Sequence, residues 1–233
     1  MADGLIVFAR MGSARLPGKM LAELAGRSLI ARVLDRARRV NGVTPVVATT
    51  TRAADDALAA AVASLGVPVF RGDDADVAGR ALACARAFGF MRFARVTGDS
   101  PFLEPALYET LLRRHRDEAL DLATNAFPRS FPVGVTAEVI ATDALARVCA
   151  ATAEPRLREH MTTYIYEHPD AFRIANEAAP DDRYAGLRLA VDTPDDLARA
   201  AWIVERLDMG AAEAPLDRIV ALARRHDGAT RAA

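Results

Sequence analysis

Basic residues and glycines follow a short apolar run early in the chain, in a spacing that suits a phosphate-binding loop. The run spans residues 5–8, and the residues after it include Arg10, Gly12, Arg15, Gly18 and Lys19. Glycines allow backbone conformations in which successive N–H groups turn toward an anion. Arginine and lysine add positive charge that a polyanion would neutralise. We therefore expect the segment 10–19 to hold phosphate groups.

Two other loop types have a similar composition. A P-loop places four residues between its glycines and a serine or threonine after its lysine. Here five residues separate Gly12 from Gly18, Pro17 lies inside the loop and Met20 follows the lysine. Spacing and chemistry therefore exclude the P-loop. A basic surface loop with turn glycines remains as the alternative.

Two aspartates follow predicted strands and could hold a divalent cation. Asp99 follows Gly98, and Asp192 precedes Thr193. Mg²⁺ takes few protein oxygens and completes its octahedron with water and phosphate oxygens, so two carboxylates beside a phosphate loop suit this ion. The alternative for each aspartate is a turn or cap residue. That alternative is stronger for Asp192, because a helix begins just after it.

Short β-type runs alternate with longer amphipathic segments, which is typical of parallel β-α-β units. The pattern predicts strands over residues 5–9, 44–50, 68–70, 92–96 and 187–191. It predicts helices over residues 29–40, 53–65, 77–88, 104–115, 154–168, 194–207 and 216–225. In open parallel sheets, ligands bind beyond the carboxyl ends of the strands. Three segments follow strands, so we expect them to converge on one site: the 10–19 loop, Asp99 and Asp192.

The length of 233 residues fits one α/β domain. We predict a single domain over residues 1–226 with a mostly parallel sheet, followed by a flexible tail over 227–233. The pattern loosens between residues 121 and 173, which indicates an inserted region. Within it, residues 127–139 mix prolines and glycines with β-branched residues, which favours irregular hairpin strands over a central sheet strand.

Charge and cysteine content narrow the function classes. Thirty Lys and Arg residues against 31 Asp and Glu give a net charge of −1, so no global basic field indicates nucleic acid. No apolar run approaches the roughly 20 residues that cross a bilayer. Cys84 and Cys149 lie far apart without metal-like spacing, which is typical of reduced thiols. With no signal-peptide pattern, we expect a cytoplasmic protein that binds neither nucleic acid nor membrane.

Four motifs, in order along nearly the whole chain, resemble those of the spore-coat polysaccharide cytidylyltransferase family. They cover residues 9–19, 70–72, 96–101 and 191–195. This family is related to the CMP-Kdo and CMP-acylneuraminate synthetases. The resemblance implies a three-layer, Rossmann-like fold of the nucleotide-diphospho-sugar transferase (GT-A-like) type. It also implies transfer of CMP from CTP to an acceptor oxygen with release of pyrophosphate, for surface glycan biosynthesis.

The resemblance also implies roles for residues at the nucleotide. Arg10 and Lys19 would grip the triphosphate, and Gly12 and Ser13 would donate to the β- and γ-phosphates. Mg²⁺ would lie against the α-phosphate. Its ligands would be Asp99 and Asp192, which complete the catalytic set with Arg10 and Lys19. The other residues implied at the nucleotide are Ala9, Thr49, Thr50, Arg71, Arg80 and Gly98.

On the acceptor side, the resemblance implies a small molecule, which we expect to be a sugar acid. The matching positions are Glu138, Arg158, Glu159 and His160. Relatives commonly dimerise through the middle segment, so a homodimer is also expected.

Three alternative functions remain. One is a nucleotidyltransferase with another nucleobase or with a phosphorylated or carboxylated non-sugar acceptor. Another is a glycosyltransferase, which would be expected to carry an Asp-x-Asp motif, whereas Asp99 is followed by Ser100-Pro101. The last is a non-catalytic nucleotide-binding module. The joint presence of Arg10, Lys19, Asp99 and Asp192 argues against it.

Overall fold

The computed structural model describes residues 2–207 and 210–232, without the side chains of 231 and 232. Its strands are β1 (Ala2–Phe8), β2 (Glu23–Leu24), β3 (Arg27–Ser28), β4 (Thr44–Thr50), β5 (Val69–Gly72), β6 (Phe90–Thr97), β7 (Leu122–Thr124), β8 (Glu138–Ala141) and β9 (Ile174–Asn176). Its α-helices are α1 (Leu29–Ala37), α2 (Asp56–Ser64), α3 (Val77–Ala87), α4 (Pro105–Asp117), α5 (Thr142–Ala151), α6 (Pro155–Glu159), α7 (Thr163–Glu167), α8 (Pro194–Val204) and α9 (Leu216–Ala232).

Seven of these strands form one sheet in the order β5-β4-β1-β6-β8-β7-β9. β1 lies parallel between β4 and β6, with Val7 beside Val47 and Val96. β5 continues the parallel arrangement beside β4, whereas β8 runs antiparallel to both β6 and β7. β9 is parallel to β7. The carboxyl ends of β1, β4 and β6 therefore meet at one edge, and the predicted mostly parallel α/β sheet is confirmed.

Each face of the sheet carries its own apolar layer, because successive side chains of a strand point to opposite faces. Leu5 and Val7 pack in one layer with helices α1, α2, α4, α8 and α9. Ile6 packs in the other layer with α3, α5 and α7. All three of these side chains are fully buried. The sheet is thus the middle of three layers.

Capping residues and glycines mark the ends of several helices. Ser28 begins α1, and its hydroxyl accepts a hydrogen bond from the first turn. Thr193 and Asp196 form a reciprocal capping box at the start of α8. Gly66 and Gly89 follow α2 and α3 with φ angles of 72° and 67°, the left-handed backbone that glycine adopts without strain.

Two predicted elements are wrong. The single helix predicted over 154–168 is two short helices, α6 and α7, because the backbone at His160 leaves the helical conformation (φ −105°, ψ 73°). The segment 187–191, predicted as a strand, lies outside the sheet in the described part of the chain and has an isolated bridge between Arg188 and Val133. It pairs instead with an irregular loop, where the Leu189 N–H donates to the Val133 carbonyl at 2.6 Å. The place beside β6 is filled by β8.

The region 121–173 contributes strands to the main sheet. Residues 127–137 are irregular as predicted, but Glu138 begins β8, which lies between β6 and β7. The expectation that 127–139 avoids the central sheet is therefore wrong at its last two residues, because Val139 and Ile140 are apolar and fully buried there. The limits of a single domain over 1–226 stay a prediction, and residue 1 lies outside the described residues.

The stretch 227–232, predicted as a flexible tail, is the continuation of α9. Asp227 pairs there with Arg199 at 2.7 Å, and residue 233 lies outside the described residues. Both cysteines are free, and burial raises the pKa of the Cys84 thiol to about 12. Among the described helices, none has the length and apolar character to span a bilayer.

Candidate active site

The loop after β1 folds back on itself before it reaches Lys19. The Gly18 N–H donates to the Met11 carbonyl at 3.1 Å, and Gly18 has a φ of 75°, which favours glycine. The Met11 N–H donates to Oδ1 of Asp55 at 2.6 Å, which ties the loop to the turn after β4. Lys19 then begins a 3-10 turn, Lys19–Leu21. Its side chain therefore leaves from a backbone that is held at several points.

Lys19 is the only lysine of the chain, and it joins the two predicted metal ligands. Its ammonium lies 3.0 Å from Oδ2 of Asp99 and 3.0 Å from Oδ1 of Asp192. A third hydrogen bond, of 2.9 Å, goes to the carbonyl of Val191. An ammonium has three N–H donors, so each of them has an acceptor. We name Lys19, Asp99 and Asp192 the Lys19 cluster.

Asp192 reaches this cluster without belonging to the sheet. The Val191 N–H donates to the Asp99 carbonyl at 2.9 Å, which places the two segments side by side. Asp192 also pairs with Arg15 at 3.0 Å and with Arg188. Burial acts to raise the pKa of Asp192, but the hydrogen bond from the ammonium and the three nearby cations outweigh it and lower the pKa. Asp192 is therefore an ionised carboxylate at neutral pH.

Two cavities open beside the Lys19 cluster. One, of about 460 Å³, is lined by the loop after β1 and by the start of α3, and we name it the loop cavity. The other, of about 340 Å³, is lined by β8, α7 and the irregular segment between β7 and β8, and we name it the β8 cavity. Both cavities are lined by Arg95, Thr97, Asp99 and His160. The two cavities are thus halves of one divided cleft.

The loop cavity is lined by most of the residues that were predicted to contact the nucleotide, namely Ala9, Arg10, Gly12, Ser13, Lys19, Arg80 and Gly98. Arg10 is 43 % exposed and pairs with Asp74 at 3.2 Å. Arg80 is buried; its Nη1 donates to the Asp73 carbonyl, and its Nε has no hydrogen-bond partner in the described part of the chain. Burial and then the charge of Arg10 lower the pKa of Arg80. Two arginines therefore face this cavity close together.

Neither cavity is lined by the other three residues that were predicted to contact the nucleotide. Thr49 and Thr50 are fully buried at the end of β4, where the Thr50 hydroxyl bonds to Asp55. Arg71 lies along the same edge, with its Nε donating to the Thr50 carbonyl at 2.8 Å and its Nη1 2.6 Å from Asp56. The structure does not bring these residues to the Lys19 cluster, and their role at the nucleotide stays a prediction.

Two residues predicted at the acceptor, Glu138 and His160, line the β8 cavity. Glu138 is 2 % exposed, pairs with Arg95 at 2.5 Å and accepts a hydrogen bond of 2.6 Å from the Tyr166 hydroxyl. Burial and then the charge of Glu138 raise the pKa of Tyr166, so this hydroxyl stays a donor. His160 is exposed at the border of both cavities.

The other two predicted acceptor residues are placed elsewhere. Arg158 forms a two-point pair with the carboxylate of Asp76, which caps α3 by accepting from Gly79 at 2.8 Å. Its Nη1 donates to the Cys149 carbonyl at 3.1 Å. These contacts direct Arg158 away from the cleft. Glu159 lines the loop cavity rather than the β8 cavity, with a carboxylate oxygen 3.8 Å from Arg10.

The β8 cavity is also lined by three residues that the sequence motifs do not predict, namely Arg95, Tyr166 and Arg129. Arg95 lies two residues after the buried Phe93 on β6, at a position of the same face. A charged residue at an alternating position near the end of an apolar strand was the available signal. Arg129, whose Nη1 donates to the Thr136 hydroxyl at 2.8 Å, lies in an irregular segment without a motif.

The donor set fits Mg²⁺. Asp99 and Asp192 present carboxylate oxygens at 3.0 Å from one cationic centre, so they are close enough to share a cation. Across the described residues, no group of three or more His, Cys, Asp or Glu side chains could hold a metal. Mg²⁺ is commonly held by one or two carboxylates together with water and substrate phosphates. Two carboxylates beside a basic loop therefore suffice.

A basic loop after the first strand, paired carboxylates and a divided cleft on an α/β sheet define the class of nucleotidyltransferases. The model of the family described as "Cytidylyltransferase" matches residues 5–214. The chain belongs to this family and is an enzyme. Over 236 aligned residues it is 32 % identical to the "Spore coat polysaccharide biosynthesis protein SpsF" of Bacillus subtilis (strain 168), across 97 % of this chain and 95 % of that protein.

Solved structures agree with this family. A cytidylyltransferase from Leptospira borgpetersenii serovar Hardjo-bovis (strain JB197) has a TM-score of 0.90 at 25 % identity and covers 97 % of this chain and 96 % of its own. A CMP:2-keto-3-deoxy-manno-octonic acid synthetase complexed with CTP has a TM-score of 0.69 at 22 % identity, across 88 % of this chain and 99 % of its own. The latter likeness shows the shared fold, and the resemblance stated from the motifs is confirmed.

Proposed function

We propose that this enzyme transfers CMP from CTP to a sugar acid, with Mg²⁺ as cofactor and with release of pyrophosphate. The observation that carries the proposal is the Lys19 cluster, in which the basic loop meets two carboxylates where the loop cavity joins the β8 cavity. A triphosphate in the loop cavity and an acceptor in the β8 cavity would meet at this point. The synthetase of the same fold that was solved with CTP supports cytosine as the base and a sugar acid as the acceptor.

The loop residues would bind the triphosphate. Gly12 and Ser13 offer backbone and hydroxyl donors, and Arg10 and Lys19 place positive charge where the departing pyrophosphate gains negative charge. Because all three donors of Lys19 have acceptors on the protein, Lys19 must release at least one of them to contact a phosphate. Mg²⁺ held by Asp99 and Asp192 would act as a Lewis acid on the α-phosphate.

The acceptor would bind in the β8 cavity, beside Glu138 and His160. The second candidate function is transfer to a phosphorylated or carboxylated acceptor other than a sugar, because the β8 cavity also presents Arg129, which suits either anion. Surface glycan biosynthesis is supported by the name of the Bacillus subtilis relative. A cytoplasmic location and a homodimer stay predictions from the sequence.

Pyrophosphate release tests the proposed reaction. The protein is incubated with Mg²⁺, each of the four nucleoside triphosphates and a panel of sugar acids. We expect release with CTP and a subset of acceptors, and a loss of about 100-fold or more in kcat/KM for Asp192→Asn. Asp195→Asn is the matched control, because Asp195 is exposed on the first turn of α8, and it should keep wild-type activity. No release with CTP above an Asp99→Ala variant, across the whole panel, refutes the proposal.

Thermal stability measured with each triphosphate tests the nucleobase separately. A ligand that binds only the folded state raises the melting temperature, so CTP should raise it more than ATP, GTP or UTP. Stabilisation by GTP alone would replace cytosine with guanine in the proposal.

A further inference from the structure

The two cavities meet at four residues, and one of these is an arginine to which the proposed reaction assigns no role. Of the four, the Thr97 hydroxyl is bonded to the Ser100 hydroxyl at 2.8 Å, and Asp99 is bonded to Lys19. Arg95 is the member that carries a permanent positive charge. A phosphoryl group that passes from a nucleotide in the loop cavity to an acceptor in the β8 cavity crosses this junction.

Arg95 keeps donors free for a ligand. Its Nη1 lies 2.5 Å from Oε2 of Glu138, which is its register partner on β8. Its Nε is buried and has no hydrogen-bond partner among the described residues. A guanidinium carries five N–H donors in a planar fork that matches the oxygens of a phosphate. The Arg95 side chain as a whole is 20 % exposed and lines both cavities, so an anion bound in the cleft can reach its guanidinium.

Neighbouring groups hold the Arg95–Glu138 pair in place. The Tyr166 hydroxyl donates to Oε1 of Glu138 at 2.6 Å, so both oxygens of this carboxylate are engaged. The Tyr108 hydroxyl lies 3.1 Å from the Arg95 carbonyl and fixes the strand from the opposite face. Burial opposes the charge on Arg95, but Glu138 outweighs it and raises the pKa of the guanidinium. The guanidinium of Arg95 is therefore charged and already held in position at the junction of the two cavities.

We propose that Arg95 binds a non-bridging oxygen of the nucleotide α-phosphate, and that Glu138 and Tyr166 are positioning residues that hold its guanidinium. The proposal rests on the proposed function, because it takes the α-phosphoryl group as the group transferred at the junction. The loop after β1 approaches a triphosphate from one side, and Arg95 approaches the α-phosphate from the strand side. Charge spreads over the equatorial oxygens during phosphoryl transfer, so this contact would strengthen in the transition state.

Cytidine, CMP and CTP distinguish this contact from the others, because CMP carries only the α-phosphate and cytidine carries none. Their affinities for wild type, Arg95→Gln and Arg10→Gln are measured with Mg²⁺ by calorimetry, and by NMR titration for the weaker ligands. We expect Arg95→Gln to bind CMP and CTP each about 10- to 100-fold more weakly, with cytidine unchanged. Arg10→Gln should weaken CTP and leave CMP unchanged.

Matched variants separate this contact from a structural role. Arg92→Gln is the control, because Arg92 lies on the same strand, pairs with Asp3 at 3.3 Å and also has a buried, unpartnered Nε in the described structure, yet lines neither cavity. It should bind all three ligands as wild type does. Tyr166→Phe should weaken CMP binding less than Arg95→Gln does, and Arg95→Lys should keep part of the CMP affinity. Thermal unfolding confirms that each variant is folded.

The possible results have distinct consequences. Wild-type affinity of Arg95→Gln for CMP and CTP overturns this inference and leaves the proposed function standing. So does an equal loss for cytidine and CMP, or an equal loss in Arg92→Gln, since each would show general damage to the fold. A wild type that binds no nucleotide overturns the proposed function itself.

Discussion

Replacing Lys19 with methionine should destabilise the protein and raise its affinity for divalent cations. Methionine keeps an unbranched stem of similar length and removes the ammonium. In the wild type, that ammonium makes hydrogen bonds of 3.0, 3.0 and 2.9 Å to Asp99, Asp192 and the Val191 carbonyl. The Lys19 side chain is only 8 % exposed, so water cannot fully replace these bonds.

The size of the expected destabilisation depends on the solvent exposure and the cationic partners that each carboxylate retains. Breaking a buried ion pair by removing one partner costs about 3–5 kcal/mol. Asp99 is 26 % exposed, and Asp192 retains Arg15 and Arg188, so both carboxylates stay partly compensated. We therefore expect the free energy of unfolding to fall by about 2–3 kcal/mol at pH 7. Urea denaturation with an unchanged m-value measures this difference.

Two further variants sharpen the test of Lys19. Adding Asp192→Asn to Lys19→Met removes one of the two carboxylates that repel each other once the ammonium is gone, so it should restore about 1 kcal/mol of the lost stability. Lys19→Arg keeps the charge, but a planar guanidinium cannot point three donors of one nitrogen at three acceptors. It should be destabilised as well.

Metal binding provides the second readout. In Lys19→Met the two carboxylates repel each other, so a divalent ion that enters between them removes this repulsion. We expect nucleotide-free Lys19→Met to bind Mn²⁺ about tenfold more tightly than wild type, as measured by electron paramagnetic resonance. Wild-type stability of Lys19→Met, or further destabilisation by Asp192→Asn, would refute the reasoning about the cluster. An unchanged Mn²⁺ affinity would show that the ammonium does not occupy the place of the metal.

Other predictions concern stability and the acceptor side. Burial and, to a smaller extent, the charge of Arg92 lower the pKa of His115 from 6.5 to about 4. The neutral imidazole therefore contributes stability above pH 6.5, and this contribution is lost as the pH falls toward 4. Urea denaturation at pH 7 and 4.5 should show wild type losing about 2–3 kcal/mol more than His115→Leu; equal losses would contradict a neutral buried imidazole. Gly134→Ala should cost about 2–4 kcal/mol, because Gly134 has a φ of 96° and an added Cβ would lie 2.3 Å from the Ala190 nitrogen; a wild-type midpoint in urea would exclude this clash. Arg158→Leu should lower stability by about 1–3 kcal/mol through loss of its pair with Asp76, with the acceptor KM unchanged; a raised KM without destabilisation would return Arg158 to the acceptor site.

Elements whose signals lie within a few residues could be predicted from the sequence. The strand Thr44–Thr50 was predicted with the bounds it has, and Ser28, Gly66 and Thr193 mark helix ends because caps act on the neighbouring turn. The segment 187–191 has the composition of a strand, but pairing depends on which strand occupies the place beside β6. Which strand pairs with β6 depends on segments far apart in the chain, so it cannot be predicted from local composition.

The sequence by itself determined the chemical content of the site: a basic, glycine-containing loop after the first strand, and aspartates at 99 and 192. The tertiary structure decided where the long charged side chains point. It directs Lys19 to two aspartates, Arg158 to Asp76 and Glu138 to Arg95. The physical reason is that arginine and lysine have many rotamers of similar energy. The opposite charges that select among them are brought close only when the chain folds.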